Sequence, residues 1–143
     1  MIVGEALRNF VDRNQRTPAR SEQQDLWDQQ RTFLREAIMS APPEGLIICD
    51  PAPLMTAVYS LQYFDDDSFL KTAIRETCEA DLTIWCAPDI PWEADGLQRD
   101  GADAREKTHA LLDEFVIPLI TAPVVVASGD ITERLKRVRA HLG

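Results

Sequence analysis

Three short apolar runs, separated by helical patterns, constrain the fold of this chain more than any other feature. They lie at residues 46–49, 82–86 and 124–127. Runs that are apolar almost throughout, rather than at every second residue, are typical of strands buried on both faces of a parallel sheet. Because helical patterns alternate with these runs, the sequence predicts an α/β fold with three layers, α/β/α, around a mostly parallel sheet.

Helix signals fill the segments between the predicted strands. Ser21 and Gln24 predict a capping box for a helix that runs to about Ser40, and Asp130 with Glu133 predicts a cap for the last helix. Further helices are expected at residues 6–11, 53–61, 68–79 and 104–115. The polar segment 89–103 contains Pro, Gly and several acids, which favours a loop or a lid.

Length and charge exclude several classes of protein. The 143 residues carry 15 Lys and Arg against 24 Asp and Glu, a net charge of −9, which argues against binding to nucleic acid or to anionic lipid. No apolar run approaches the length that a membrane span needs. The cysteines lie in apolar stretches, as is typical of buried thiols in a reducing compartment. We therefore expect one cytoplasmic domain over residues 1–143.

Polar residues follow the predicted strands at several places. Glu5 and Arg8 follow the apolar residues 1–3, Asp50 ends the run at 46–49, and the segment 89–99 follows the run at 82–86. Ligands bind beyond the carboxyl ends of the strands in an open α/β sheet. We therefore expect these residues to share one edge of the sheet and one site.

Asp50 is the most specific candidate for a functional residue among them. A buried strand that ends in a single Asp is the pattern of a Walker B element, whose carboxylate holds Mg²⁺. The same pattern is also typical of an Asp that starts a turn at Pro51 or caps the following helix. The residues alone leave both interpretations open.

The segment around Trp92 is the second candidate. A Trp that follows a proline and is flanked by carboxylates such as Asp89 and Asp95 can stack on a flat ring and bind hydroxyl groups or a cation. Arg99 and Arg105 are suited to phosphate oxygens. The alternative is an exposed turn in which Trp92 covers a sheet edge and both arginines are solvated.

Several motifs, in the same order along the chain, are similar to those of a known family. They are G-E-A-L-R at 4–8, R-T-P-A-R-S-E-Q at 16–23, I-C-D at 48–50, M-T-A-V-Y-S at 55–60, D-I-P-W at 89–92 and D-G-L-Q-R-D-G at 95–101. On these motifs, over essentially its whole length, the chain resembles the NadR-type P-loop ATPase and kinase family, which includes the ribosylnicotinamide kinase domain of NadR.

The resemblance implies a P-loop NTPase-like fold, ATP and Mg²⁺ as cofactors, and a nucleoside substrate from NAD metabolism. It implies that Asp50 is the catalytic and Mg²⁺-binding carboxylate and that Arg105 contacts the nucleotide cofactor. It also implies a set of residues that meet the nucleoside or close over it, namely Glu5, Arg8, Tyr59, Asp89, Trp92, Asp95 and Arg99.

The Walker A part of the family pattern does not occur in these residues. None of the six glycines is followed by Lys-Ser or Lys-Thr, so no Gly-rich loop with a Lys is present to cradle phosphates. The usual D-T-[DT] is Asp50-Pro51-Ala52 here, and Gly4 and Ala6 replace a proline and an aromatic residue. Because phosphoryl transfer depends on positioning and electrostatics, we expect little kinase activity from this polypeptide alone.

The resemblance further implies that the first strand, the P-loop and the first helix of the family fold are missing, which leaves a slot between the strands at Leu46 and Leu82. Either these strands close up, or something else, such as a dimer partner, fills the slot. Two hypotheses follow. The chain belongs to an ATP-dependent nucleoside kinase-like enzyme, or it is a binding or assembly module without a P-loop that works as a homo-oligomer.

Overall fold

The computed structural model of the chain describes residues 1–93 and 101–142. The chain divides into two compact units, Met1–Leu70 and Lys71–Gly143. Both units contain short parallel strands and a large share of helix. This architecture confirms the predicted α/β fold class.

Strands and helices alternate in the first unit. Strand β1 (Ile2–Val3) leads into helix α1 (Ala6–Asn14), and strand β2 (Ile48–Cys49) leads into helix α3 (Pro53–Phe64). Between α1 and β2 lies the long helix α2 (Gln23–Ser40), which follows a turn of 3₁₀-helix at residues 20–22.

The second unit repeats the alternation. Helix α4 (Leu70–Thr77) precedes strand β3 (Thr83–Cys86), and helix α5 (Ala102–Leu111) precedes strand β4 (Val124–Ala127) and helix α6 (Ile131–Arg139). A π-helical turn at residues 112–116 and a 3₁₀ turn at residues 117–119 extend α5. The helix expected at 104–115 therefore changes pitch before its end, and the helix expected at 68–79 is shorter at both ends.

Both strand pairs are parallel, as predicted. Ile2 lies beside Ile48 and Val3 beside Cys49 in the first unit, and β3 pairs with β4 along its whole length in the second. Within the described residues β2 and β3 belong to different sheets.

The prediction that the strands are buried on both faces is wrong. Ile2 is 79% exposed and its neighbour Ile48 is 46% exposed, whereas Val3 is buried. In the second unit Ile84 and Val126 are exposed as well. Successive side chains of a strand point to opposite faces, so each pair buries one face only.

The core of the first unit lies between α2, α3 and the buried face of β1. Val58 on α3 has no exposed surface, and burial of a side chain of this size contributes roughly 1.5–3 kcal/mol. The rings of Trp27 and Phe69 pack with their centroids 5.1 Å apart. Other buried apolar residues of this unit are Val3, Ala6, Val11, Leu26, Ala37, Leu54 and Ala57.

The core of the second unit is formed by residues of α4, of the turns that follow α5, and of β4. His109 on α5 stacks on Trp85 of β3, with ring centroids 4.9 Å apart and planes 23° from parallel. The buried apolar residues here are Ala73, Val116, Ile120, Val125 and Ala127. This packing fixes the position of β3, and hence of the segment that follows it.

The predicted capping box at Ser21 and Gln24 is wrong. Helix α2 begins at Gln23, and Ser21 lies in the preceding 3₁₀ turn. The carboxylate of Glu22 accepts a hydrogen bond from the Ala19 backbone N–H at 2.7 Å instead. This bond is the part that Glu or Gln plays in a capping box, in which the acid three residues after the N-cap accepts from the N-cap N–H.

The capping box of the last helix is confirmed. Asp130 Oδ1 accepts a hydrogen bond from the Glu133 backbone N–H at 2.9 Å, and Glu133 Oε2 accepts one from the Asp130 backbone N–H at 3.0 Å. In the part of the chain that the structure describes, no helix is both long and apolar enough to cross a bilayer.

Candidate functional site

Two acids lie at the carboxyl ends of the β1–β2 pair. Val3 and Cys49 form the last register pair. Asp50 follows Cys49 directly, and Glu5 follows Val3 after one glycine. The prediction that Glu5, Arg8 and Asp50 follow strands at the same end of a parallel sheet is therefore confirmed. We call these three residues the Glu5–Asp50 edge.

Glu5 is held by its own helix. It is the N-cap residue of α1, but its side chain makes no capping hydrogen bond. Its Oε2 instead accepts a hydrogen bond from Arg8 Nε at 3.2 Å, one turn into the helix. An ion pair of this kind orients both side chains while leaving much of the Arg8 guanidinium in solvent.

Asp50 has an exposed carboxylate. The chain bends at Asp50 and Pro51, as the turn interpretation expects. Helix α3 starts at Pro53 with Ala52 as its N-cap and with no side-chain cap, so the helix-capping alternative is wrong. Among the described residues, the Asp50 carboxylate makes no hydrogen bond or ion pair. It is thus available to a ligand.

A residue that sequence reasoning missed braces this edge. Gln30, in the middle of α2, is only 2% exposed. Its Oε1 accepts a hydrogen bond from the Ala6 N–H at 2.7 Å, and its Nε2 donates to Gly4 O at 2.9 Å and to Pro51 O at 3.4 Å. The missed signal is its spacing, because Gln30 falls within the apolar stripe of α2 that contains Leu26 and Ala37.

The thiol of Cys49 belongs to the same edge. Its Sγ lies 3.7 Å from Gln30 Nε2 and 3.3 Å from Pro51 O. Burial raises the pKa of this thiol above its ordinary value. A raised pKa disfavours the thiolate, the reactive form of a cysteine, so the contacts of Cys49 with Gln30 and Pro51 describe it best as a packing group next to Asp50.

Tyr59 lies on α3 and is half-buried. Its ring is 6.2 Å from that of Tyr63, with the two planes 47° apart. The aromatic pair is a packing feature of the exposed side of α3. Contact between Tyr59 and a nucleoside stays a prediction.

The acid that follows β3 is bound within its own unit. Asp89 Oδ2 accepts a hydrogen bond from the Gly129 backbone N–H at 2.6 Å, and Oδ1 accepts one from Arg134 Nη2. The Gly129 hydrogen bond, followed by the charge of Arg134, lowers the pKa of Asp89 below its ordinary value. We call Asp89, Gly129 and Arg134 the Asp89 corner.

Arg134 is the second residue that sequence reasoning missed. It lies in the first half of α6. Its guanidinium donates to Gly129 O at 2.8 Å, Ala127 O at 2.7 Å and Ala87 O at 3.2 Å, besides its bond to Asp89. It therefore ties the ends of β3 and β4 to α6.

Four further predicted site residues belong to the region after β3, and the structure describes two of them, Trp92 and Arg105. Trp92 is half-buried. Arg105 on α5 donates from Nη1 to Ile90 O at 2.7 Å, so it anchors the segment between β3 and Trp92. Asp95 and Arg99 lie outside the described residues. The substrate role of Trp92 and the cofactor role of Arg105 stay predictions, as does a single site shared with the Glu5–Asp50 edge.

The described residues by themselves do not fit Mg²⁺ and ATP. They contain no group of three or more His, Cys, Asp and Glu side chains that could hold a metal ion. Asp50 is a single carboxylate, and the sequence has no Gly-rich loop with a Lys for a triphosphate. The role of Asp50 as a Mg²⁺ ligand therefore stays a prediction.

Comparison with known proteins gives one match. A family model described as "AAA domain" matches residues 1–134. No curated protein and no solved structure matches the chain.

Proposed function

Because the chain belongs to the AAA domain family, we propose that it binds the acceptor nucleoside of an ATP-dependent kinase-like reaction. Members of this family are P-loop NTPases that generally bind ATP with Mg²⁺. The NadR-type motifs point to a ribosylnicotinamide-like nucleoside. Phosphoryl transfer is expected only where a P-loop is supplied, because the 143 residues contain none.

The observation that carries this proposal is the Glu5–Asp50 edge. Asp50 presents an exposed carboxylate without a partner among the described residues. At the start of helix α1, which follows the neighbouring strand, Glu5 and Arg8 hold each other through a 3.2 Å contact. Carboxylates accept hydrogen bonds from hydroxyl groups, and charged acceptors form the stronger bonds of this kind. The edge therefore suits the vicinal hydroxyl groups of a ribose.

The charge of the Glu5–Asp50 edge also suits an acceptor nucleoside better than a triphosphate. Two acids and one arginine leave the edge with a net negative charge, which opposes binding of a triphosphate. A neutral hydroxyl or a positively charged pyridinium ring meets no such repulsion. Nicotinamide riboside carries both groups.

Calorimetric titration tests the proposal. Nicotinamide riboside and Mg²⁺–ATP are titrated into separate samples of the chain at the same concentration. We expect saturable binding of the nucleoside and none of ATP. Absence of nucleoside binding at millimolar concentration would overturn the proposal, and tight ATP binding would contradict the part that concerns the P-loop.

An assembly module is the second candidate, and the open face of the β1–β2 pair favours it. Ile2 and Ile48 are cross-strand neighbours, 79% and 46% exposed. An apolar face of this kind is typical of a surface that another chain covers. Here we propose a homo-oligomer.

Sedimentation velocity separates the two candidates. If the chain is an assembly module, it is an oligomer at micromolar concentration, and Ile48→Lys converts it to a monomer. Ile131→Lys, at another exposed isoleucine, serves as the matched control and leaves the oligomer intact. A monomeric parent chain rules out the assembly module and leaves the nucleoside proposal unaffected.

A further inference from the structure

We infer that Gln30 is the positioning residue of the Glu5–Asp50 edge, setting the separation of the two acids from the interior of α2. This inference rests on the proposed function for its ligand, but its structural part is tested without one. Gln30 is 24 residues from Ala6 and 21 from Pro51 in sequence. Its contacts are therefore made by the fold and not by local chain geometry.

The partners of Gln30 flank both acids. In the first loop the side chain binds Gly4 O and Ala6 N, which stand on either side of Glu5. In the second loop it contacts Cys49 Sγ and Pro51 O, which stand on either side of Asp50. One side-chain amide thus holds the backbone on both sides of Glu5, and it holds the residues on both sides of Asp50 through the Cys49 thiol and the Pro51 carbonyl.

The chemistry of these contacts requires an amide. The Ala6 N–H is one of the helix N-terminal donors that have no partner within α1, and the N-cap side chain of Glu5 leaves it free. Gln30 Oε1 accepts from it at 2.7 Å, while the two N–H groups of Nε2 face carbonyl oxygens. A carboxylate has no donor for those oxygens, and an apolar side chain has neither group.

Burial protects the hydrogen bonds that Gln30 makes to the two loops. Gln30 is 2% exposed, so water cannot replace its hydrogen bonds and a lost bond leaves a buried polar group without a partner. In contrast, the carboxylate of Asp50 and much of Arg8 face solvent. The edge therefore combines a rigid backbone with accessible side chains, as a preorganised binding site does.

Helix α2 offers a matched control. Gln23 is also buried, at 4% exposure, but among the described residues its Nε2 donates only to the Ala19 carbonyl, which lies before the helix. Gln30→Met and Gln23→Met each remove one buried amide from the same helix. Only the first removes contacts to the two loops.

Amide NMR spectra of the ¹⁵N-labelled chain test the structural part. We expect Gln30→Met to shift the resonances of both loops, residues 4–6 and 49–52, and to speed hydrogen exchange of the Ala6 amide at least tenfold. Gln23→Met leaves both loops unshifted. Shifts confined to one loop, or the same pattern in both variants, would overturn the inference.

The functional part is tested by nucleoside affinity at a temperature at which both variants are folded. We expect Gln30→Met to weaken nicotinamide riboside binding about tenfold or more, with less than a twofold change for Gln23→Met. Equal affinities would overturn the positioning role. If the parent chain binds no nucleoside, the proposed function fails, and the NMR result alone decides the role of Gln30.

If Gln30→Met does not fold, the parent chain still provides a test. The Gln30 side-chain N–H protons then serve as the probe, because an amide held by two carbonyl oxygens exchanges slowly. Exchange at least tenfold slower than for the exposed Gln24 amide supports the brace. Equal exchange rates would overturn it.

Discussion

Asp50 and Asp89 each lie just beyond the carboxyl end of a strand, β2 and β3 respectively, yet their carboxylates differ in their partners. Asp50 presents its carboxylate to solvent without a partner among the described residues, whereas Asp89 receives hydrogen bonds from Gly129 and Arg134. The difference lies in the neighbouring arginine, because α6 places Arg134 where its guanidinium binds the Asp89 carboxylate. At the Glu5–Asp50 edge, the Arg8 guanidinium faces Glu5. A carboxylate at a strand end is thus available to a ligand only where no neighbouring helix supplies a donor.

The largest expected effect concerns Arg134. The substitution Arg134→Met removes hydrogen bonds to three carbonyl oxygens and to Asp89. We expect it to lower the free energy of unfolding by about 2–4 kcal/mol, because the side chain is only 13% exposed and its bonds join β3, β4 and α6. Denaturant unfolding measures the change. Arg139→Met, at an exposed site on the same helix, is the control, and an equal effect of the two would contradict the assigned role.

Gly129 comes next. Its φ of +87° disfavours any side chain, and a Cβ there would clash with the Glu133 carboxylate. Gly129→Ala is expected to cost about 1–2 kcal/mol through backbone strain and disturbance of the α6 cap. Gly101 also has a positive φ, of +106°, but nothing within 4 Å of its Cβ position. Gly101→Ala should therefore lower the stability less than Gly129→Ala does, as measured by thermal unfolding of both variants. The reverse order would refute this explanation.

The Asp89 corner also predicts a pH dependence. Because the folded-state pKa of Asp89 is lowered by Gly129 and Arg134, its ionised form stabilises the folded chain above the unfolded-state value near 4. This contribution is lost as the pH falls through the lower folded-state pKa. In acid unfolding monitored by circular dichroism, Asp89→Asn should lose less stability between pH 5 and 2 than the parent chain. Parallel curves would show that Asp89 does not contribute.

The smallest expected effect on stability is at Asp50. Its exposed carboxylate makes no bond within the described residues, so Asp50→Asn should change the free energy of unfolding by no more than about 0.5 kcal/mol. Chemical denaturation of the two proteins measures the difference. A large loss of stability would mean that Asp50 is a structural residue, like Asp89.

Much of the fold could be predicted from the sequence because its signals are local. The Asp130–Glu133 capping box and the parallel strand pairs were predicted correctly. The burial of both strand faces was not. An apolar run such as Val124–Ala127 indicates a strand, but its residues do not reveal how many faces are covered.

The candidate site was less predictable because its supporting residues come from elsewhere in the sequence. Strand ends identified Asp50 and Glu5, since the carboxyl ends of paired parallel strands meet at one edge. Nothing next to Asp89 in sequence indicates that Arg134 would bind it. Gln30 was missed because a glutamine on a helix is usually exposed, although its place in the apolar stripe of α2 was visible.

We propose that the Glu5–Asp50 edge is free to bind a ligand, whereas the Asp89 corner is structural. The most direct measurement is the affinity of Asp50→Asn for nicotinamide riboside, beside Asp12→Asn, which alters another exposed acid of the first unit. We predict that Asp50→Asn weakens binding about tenfold or more, as loss of a charged hydrogen-bond acceptor does, whereas Asp12→Asn binds like the parent chain. Unchanged affinity in Asp50→Asn would contradict the claim.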